Sequence, residues 1–346
     1  MKHKLIIFSI AIGVAMAACS KIEPIRIITP QRPIDTQGLE QFKTNMETRK
    51  VSMGMVYGWG KNENSNLMHT PDSLDIIIVK DGYGTLSDHQ KKDLAEVQTQ
   101  KATRVLLGVN LEASSQQLSQ LVESTINARK KTTEETLRKN NPSITDQAVK
   151  VELDSVAART TREFAATVPA DLSKIADSVK NLLQQYQFDG ISVEIPQNFT
   201  ALYQAEAVAT FLQSINQFAG KGKGALLIIE NPFTEGADII KEAQWVVYRN
   251  VTNNRLANFD ALARNWPDSR VVASVDFSRE EQLNGFADSE TFSSTGILPQ
   301  AIDVVNWKFP TRAGVAYYHI EKNYSDIDGK VSYKTLRYSI SKLQVN

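Results

Sequence analysis

The feature of this sequence that most constrains its fold is a repeated alternation of short apolar runs with longer amphipathic segments. Most of the runs are short and rich in Val, Ile and Leu, which is typical of parallel strands buried on both faces. The intervening segments have the pattern of connecting helices. Eight runs occur, at 51–60, 74–84, 103–112, 188–196, 224–232, 243–251, 270–279 and 313–324. Eight such βα units predict an α/β fold, a TIM (β/α)8 barrel in a single domain.

The segments between the runs predict the helices of this barrel. A lead-in helix is expected at 39–50, another after Ser87, and a long polar helical region at 113–185 with a break near 140–143. The part at 129–160 is either a helical excursion or a contact surface for a partner. An open doubly wound sheet is the alternative fold, but no G-x-G-x-x-G follows the first strand.

The charge balance of the chain, and the positions of its histidines and its cysteine, argue against nucleic-acid binding and metal binding. Lys plus Arg and Asp plus Glu are balanced at 39 each, so no net field attracts nucleic acid, and nucleic-acid binding is not expected. His69, His89 and His319 show no metal-binding spacing, and Cys19 is the single cysteine. We therefore predict neither a metal site nor a cofactor.

The N-terminus has the pattern of an export signal. Lys2 and Lys4 precede the apolar run "LIIFSIAIGVAMAA", which ends directly before Cys19. "MAAC" resembles the lipobox of bacterial lipoproteins, in which the cysteine is acylated; a plain secretory peptide with an incidental cysteine is the alternative. The resemblance implies a signal peptide at 1–19 with lipidated Cys19, a tether at 20–38 and a barrel at 39–346. It also implies an exported protein anchored to the outer membrane, at the cell surface.

The fourth apolar run carries a recognisable motif. "YQFDGISVEIP" resembles the fourth-strand motif D-G-x-D-x-D-x-E of glycoside hydrolase family 18, and "GMVYGWG" and "GVAYYHIEKNYSD" agree with the first and last strands. The chain is most similar to the lipoprotein branch of that family in Bacteroides-type bacteria, related to endo-β-N-acetylglucosaminidases. This resemblance covers roughly residues 40 to 346 and implies the (β/α)8 fold.

The motif is degenerate at the positions that carry the family's chemistry. Asp189 matches the opening of the motif, whereas Ser192, Glu194 and Pro196 stand at its last three acids. Strand alternation points these three residues into the barrel. In the family, the final Glu is the proton donor and the preceding Asp orients the substrate's N-acetyl group. Proline has no proton to donate, and sliding the alignment by two residues puts Ser192 at the assisting position, so we predict an inactive site.

Aromatic and polar residues at the carboxyl ends of the strands are the expected ligand contacts. Trp59, between two glycines, is predicted to be exposed to ligand. Tyr248 resembles a sixth-strand tyrosine that contacts the N-acetyl group in active relatives, and Trp245, on the opposite parity, is predicted to pack under helices. The predicted ligand-binding residues are Tyr57, Trp59, Tyr83, Glu194, Asn231, Tyr248, Asp276 and Tyr318.

Three functions remain open from the sequence. The first is an inactive family-18-like lipoprotein that binds glycans containing N-acetylglucosamine, such as N-glycans, beside outer-membrane glycan-import proteins. The second is an active endo-β-N-acetylglucosaminidase or chitinase-like hydrolase with a relocated acid, for which Asp276 and Glu321 are candidates. The third is a scaffold lipoprotein whose cleft is filled by its own side chains and whose partner is a protein.

Overall fold

The structure of the protein is a computed structural model that describes residues 34–61, 63–249, 255–289, 298–308, 310, 312–325 and 332–345. Its contacts divide the chain into Met1–Ile34 and a compact unit, Asp35–Asn346. The predicted signal peptide, Cys19 and most of the tether lie outside the described residues. The description below concerns the compact unit.

Eight parallel strands form a closed barrel, in which each strand pairs with its neighbours in sequence and β8 pairs with β1. The predicted (β/α)8 barrel is therefore confirmed. The strands are β1 (Val51–Val56), β2 (Ile76–Val79), β3 (Arg104–Asn110), β4 (Gly190–Glu194), β5 (Leu226–Glu230), β6 (Trp245–Val247), β7 (Val271–Asp276) and β8 (Arg312–Tyr318).

The helices follow the strands, as the alternation predicts. They are α1 (Thr36–Thr44), α2 (Asp88–Lys101), α3 (Leu111–Asn140), α4 (Asp146–Ala165), α5 (Val168–Tyr186), α6 (Ala205–Asn216), α7 (Ala237–Ile240), α8 (Ala257–Asn265), α9 (Gln300–Asp303) and α10 (Lys334–Val345). The polar region after β3 is thus three helices, α3 to α5, with the predicted break between α3 and α4. Across the described ranges, none of the helices is apolar over a length that could cross a membrane.

Polar side chains set where several of these helices begin. The hydroxyl of Ser87 accepts a bond from the backbone N–H of Gln90, whose side chain returns to the Ser87 backbone, which makes a capping box at the start of α2. The side chains of Asn110 and Thr145 cap α3 and α4 by accepting backbone bonds three residues on. Because Asn110 is also the last residue of β3, strand and helix follow each other without a loop.

The strands separate an outer core, under the helices, from an inner core inside the barrel. On β4, Ile191 and Val193 belong to the outer core, as predicted, and Ser192 and Glu194 face the interior. On β6 the predicted parity is wrong: Trp245 belongs to the inner core, whereas Tyr248 packs against the outer core. The three apolar residues of β6, followed by Tyr248, leave the alternation without a polar residue to mark its inner face.

A buried lysine fixes α1 to the amino-terminal end of the barrel. The Nζ atom of Lys43, which is 2% exposed, donates to the carbonyl of Lys101 at 2.8 Å and to the hydroxyl of Thr103 at 2.7 Å. Burial lowers the pKa of Lys43 to about 7, although the charge of Asp75 acts in the opposite direction. The amine is therefore charged in the folded protein only below about pH 7.

This pKa predicts a dependence of stability on pH. Unfolding returns Lys43 to its ordinary pKa of 10.5, so the unfolded chain binds more protons than the folded chain between pH 7 and 10.5, and stability rises with pH there. From pH 6 to pH 9, we expect the free energy of unfolding of the wild type to gain about 2 kcal/mol relative to Lys43→Met. Urea denaturation at both pH values measures it, with Lys342→Met as a surface control. A difference that does not change with pH would show that the amine stays charged.

Candidate functional site

Charged and hydroxyl side chains from four strands meet inside the carboxyl end of the barrel. Lys80 directly follows β2, Glu194 and Glu230 end β4 and β5, and Tyr318 ends β8. All four residues lie on the inward-facing parity of their strands, so these side chains converge on one point. All four residues are buried, and the two glutamates are 1% and 0% exposed. The centre of the barrel mouth is thus filled by the protein's own polar groups.

The ammonium group of Lys80 lies between the two carboxylates. Its Nζ atom is 2.8 Å from Oε2 of Glu194 and 2.9 Å from both carboxylate oxygens of Glu230. Glu230 also accepts bonds from the Ser192 hydroxyl, at 2.7 Å, and from the Tyr318 hydroxyl, at 2.6 Å. Each of the two Glu230 oxygens therefore has two donors, which is how a buried carboxylate is stabilised.

A second cation pairs with Glu194 from the rim. Arg249, which follows β6, donates from Nη1 to Oε1 of Glu194, and its guanidinium lies 5.0 Å from the centre of the Tyr318 ring. Burial alone would raise the pKa of Glu194, but Lys80 and Arg249 outweigh burial and hold that pKa below its ordinary value. Glu194 therefore stays ionised at neutral pH and has no proton to give to a leaving group.

The path of Lys80 depends on a glycine in β3. A Cβ atom at Gly108 would lie 2.9 Å from Cδ of Lys80 and 3.0 Å from the carbonyl oxygen of Val79. The lysine stem thus crosses the barrel in the space that a side chain at 108 would occupy. The hydroxyl of Tyr83 donates to the carbonyl of Gly108 at 2.7 Å, next to this crossing.

A stacked pair of rings borders the filled centre. Tyr57, which follows β1, stacks on His319 with ring centroids 3.9 Å apart and an interplanar angle of 10°. His319 has a left-handed φ of 54° and is held by Asp276, whose Oδ1 lies 2.8 Å from Nδ1 of the imidazole. Non-glycine residues in this conformation occur preferentially at functional sites. Asn231, at the end of β5, is a second such residue at the rim, with φ 59°.

The two acids considered as relocated proton donors, Asp276 and Glu321, differ in the direction of their pKa shifts. Burial would raise the pKa of Asp276, but bonds from His319 and Ser278 lower it to about 2, so Asp276 is ionised. Burial raises the pKa of Glu321, one of whose carboxylate oxygens accepts a 3.2 Å bond from the backbone N–H of Tyr57. Glu321 is therefore the one of these two candidates that keeps a proton more readily.

Some predicted ligand contacts lie away from the site. Trp59 is 2% exposed, and its indole N–H donates to Asp93 at 2.8 Å, so the prediction that it is exposed to ligand is wrong. The flanking glycines turn the chain and place the indole in the outer core. Tyr248 packs edge-to-face against Phe259 under α8, because its parity is outward, and its predicted place in the cleft is wrong.

The remaining predicted contacts lie at the carboxyl end in two layers. Glu194 and Tyr318 are buried in the charged centre, whereas Tyr57, Tyr83 and Asp276 are half-buried at the rim. Pro196 is buried just beyond β4. Asp189, at the start of β4, accepts bonds from Arg104, Gln98 and the Val105 N–H, which gives it a structural role at the other end of the strand.

Lys80 is the member of the centre that the sequence interpretation missed. The signal available was its place at the end of "IIIVK", on the inward parity of β2. Among the described residues, no group of three or more His, Cys, Asp or Glu side chains is arranged to hold a metal ion. The centre instead balances two buried carboxylates with two cations of the chain itself.

Comparison with solved structures finds several barrels that match this chain over most of its length. A selenomethionine-labelled variant of BT1044 aligns with a TM-score of 0.58 at 16% identity, over 90% of this chain and 93% of that one. A chitinase from Bacteroides thetaiotaomicron aligns at 0.48 and 11%, over 86% and 96%. A family-18 chitinase from Pseudoalteromonas aurantia aligns at 0.47 and 11%, over 84% and 100%. No family model and no curated protein sequence matches the chain.

The closed eight-stranded parallel barrel, together with the match to BT1044, confirms the (β/α)8 fold that the family resemblance implied. BT1044 is one particular protein to which this chain is similar in fold, with a TM-score above 0.5. At 16% identity that similarity concerns the course of the chain and not its chemistry.

The buried centre predicts a large cost for removing Lys80. Lys80→Met leaves Glu230 buried without a cation, and we expect a loss of about 3–5 kcal/mol in the free energy of unfolding. Lys80→Met combined with Glu230→Gln removes both charges and is expected to recover part of that loss. Urea denaturation measures all three proteins, and Lys174→Met, which removes an exposed ion pair with Asp171, should change stability by less than about 1 kcal/mol. Equal losses in the single and double variants would contradict the role given to Lys80.

Proposed function

We propose that this protein is a lipid-anchored, non-hydrolytic glycan-binding protein of the cell surface. The observation that carries the proposal is the double pairing of Glu194 with Lys80 and Arg249 inside the barrel mouth. A hydrolase of this fold needs a protonated acid beside the scissile bond and room for the sugar ring. The centre of this barrel has an ionised carboxylate and a lysine stem in that place.

The proposed loss of hydrolysis follows from the lack of a proton donor at positions 194 and 196. A general acid contributes on the order of 10²–10⁴-fold in rate when its pKa lies near the working pH. Glu194 has a lowered pKa and two cationic partners, and position 196 holds a proline. Lowering the pH protonates Glu194 only after the attraction of both cations has been overcome. Glu194 and position 196 therefore do not supply that proton at neutral pH.

Glycan binding is supported by the chemistry of the rim. Sugars present apolar C–H faces and hydroxyl groups, which suit aromatic faces next to planar polar groups. Tyr57 and His319 provide a stacked pair, Asp276 and the partly exposed Arg249 provide charged hydrogen-bonding groups, and Tyr83 is half-buried beside them. We infer a rim that holds a glycan above the filled centre, with N-acetylglucosamine-containing glycans as the class implied by the family resemblance.

The cellular setting in this proposal comes from the sequence. Lys2, Lys4, the apolar run and Cys19 support export and acylation, and multiple acyl chains give stable anchoring. A surface protein that holds a glycan without cutting it suits delivery to a neighbouring import system, which is the partner we propose.

A scaffold protein with a protein partner is the second candidate, and one observation favours it. Lys80, Glu194, Glu230 and Tyr318 close the interior with satisfied hydrogen bonds, so no ligand is needed to complete the centre. In this alternative, the rim and the α3–α4 hairpin would be contact surfaces. Binding of glycans to the rim distinguishes the two candidates.

The test measures retention and cleavage on the same samples. The full chain with Cys19→Ala is incubated with N-glycoprotein and chitooligosaccharides between pH 4 and pH 9. We expect retention without released products at every pH. Tyr57→Ala, which removes one ring of the stacked pair, should weaken retention at least about tenfold, since a loss of ~1.4 kcal/mol corresponds to that factor.

Two further variants make the outcome specific. Tyr338→Ala removes an exposed tyrosine on α10 and should leave retention unchanged. Cleavage that disappears in Glu321→Gln would establish the hydrolase with a relocated acid in place of this proposal. No retention of either ligand would favour the scaffold.

A further inference from the structure

A cavity lies at the amino-terminal end of the barrel, away from the charged centre. It has a volume of about 760 Å³, within the range of small-molecule sites. Lys50 directly precedes β1 and Arg312 begins β8, so the cavity lies where these two paired strands start. The described residues that line it are Lys50, Val305, Asn306, Trp307, Lys308, Pro310, Arg312 and Val345.

A β-bulge directs Arg312 into this cavity. Val271 pairs with Arg312 and Val272 pairs with Gly314, so Ala313 is an extra residue in β8. Ala313 belongs to the inner core, and Arg312 before it turns to the cavity. Bulges of this kind re-aim side chains and are frequent beside functional sites.

The guanidinium of Arg312 is left with donors that nothing among the described residues accepts. Nη1 donates to the carbonyl of Trp307, whereas the buried Nε and Nη2 atoms have no hydrogen-bond partner. Unpaired buried donors of a charged group are costly, and native structures pair them with protein, water or a ligand. Two adjacent N–H groups of arginine form the fork that binds an oxyanion through two bonds.

Among the described residues, the charged groups that line the cavity are all cationic. The cavity is lined by three cationic residues, Lys50, Lys308 and Arg312, and by no described aspartate or glutamate. Burial lowers the pKa of Arg312 to about 10. Burial, and then the charge of Arg312, lower the pKa of Lys50. An anion in the cavity would offset both effects, because it would supply the missing opposite charge.

We propose that this cavity is a binding site for a phosphate group, held by the Nε and Nη2 donors of Arg312 with Lys50 and Lys308 as the flanking cations. Its volume exceeds that of a bare phosphate ion, so the site also accommodates the small group that carries the phosphate. Neither the rim nor the charged centre shares a residue with it, and the proposal is independent of glycan binding.

The phosphate group bound at this site could belong to either of two ligands. One is a phospholipid headgroup, since α1, the first described helix, lies at the same end of the barrel, and the chain is proposed to be lipid-anchored upstream of it. The other is free phosphate. The shared recognition is of phosphate oxygens by Arg312, and the ligands used in the test distinguish the sources.

The experiment is calorimetric titration of the full chain carrying Cys19→Ala, at low and constant ionic strength with chloride as the background anion. The ligands are inorganic phosphate and short-chain phosphatidylglycerol below its micelle concentration. We expect phosphate binding with a dissociation constant on the order of 1 mM or tighter. Binding of phosphatidylglycerol at least tenfold tighter than phosphate assigns the site to a lipid headgroup, and the reverse order assigns it to free phosphate.

Matched variants test the residues. Arg312→Met should abolish binding of both ligands, and Lys308→Met, at an exposed position that leaves the fold intact, should weaken it at least threefold. Lys174→Met removes a cation on α5, away from the cavity, and should leave binding unchanged. The proposal is overturned if neither ligand binds the parent protein, or if Lys308→Met and Arg312→Met bind as the parent does. If Arg312→Met does not fold, Lys308→Met decides.

Discussion

The bond between the Lys80 ammonium and two buried carboxylates is the interaction on which the rest of the site depends. Without this cation, Glu194 and Glu230 would be two like charges in a medium that solvates neither. With it, Glu230 holds Ser192 and Tyr318, and Glu194 holds Arg249. The same bonds keep Glu194 ionised and fill the centre of the barrel mouth, so the stability of the buried charges and the proposed loss of acid catalysis have one cause.

The barrel separates two kinds of surface at its two ends. The carboxyl end presents aromatic and mixed-charge groups above a neutralised centre, which suits an uncharged ligand with many hydroxyls. The amino end presents Arg312 with unpaired donors among cations, which suits an anion. The two ends of the barrel are thus suited to ligands of different chemistry.

The sequence predicts this fold well because short runs rich in Val, Ile and Leu alternate with longer amphipathic segments, which is the pattern of buried parallel strands and connecting helices. It predicts the facing of β4 because polar residues alternate there, and it fails on β6, where Trp245 and Tyr248 carry no such mark. Trp59 was misplaced because its indole partner, Asp93, lies 34 residues away. Lys80 was missed because lysine is seldom fully buried. Only its contacts with residues 114 and 150 positions further along the chain make its burial possible.

The close approach of Lys80 to Gly108 has a consequence for how this barrel can change over evolution. Any side chain at 108 would collide with the lysine stem, and any shorter residue at 80 would leave an unfilled space beside two acids. The residues at positions 80 and 108 therefore constrain each other. A residue larger than glycine at 108 requires a change at 80 as well.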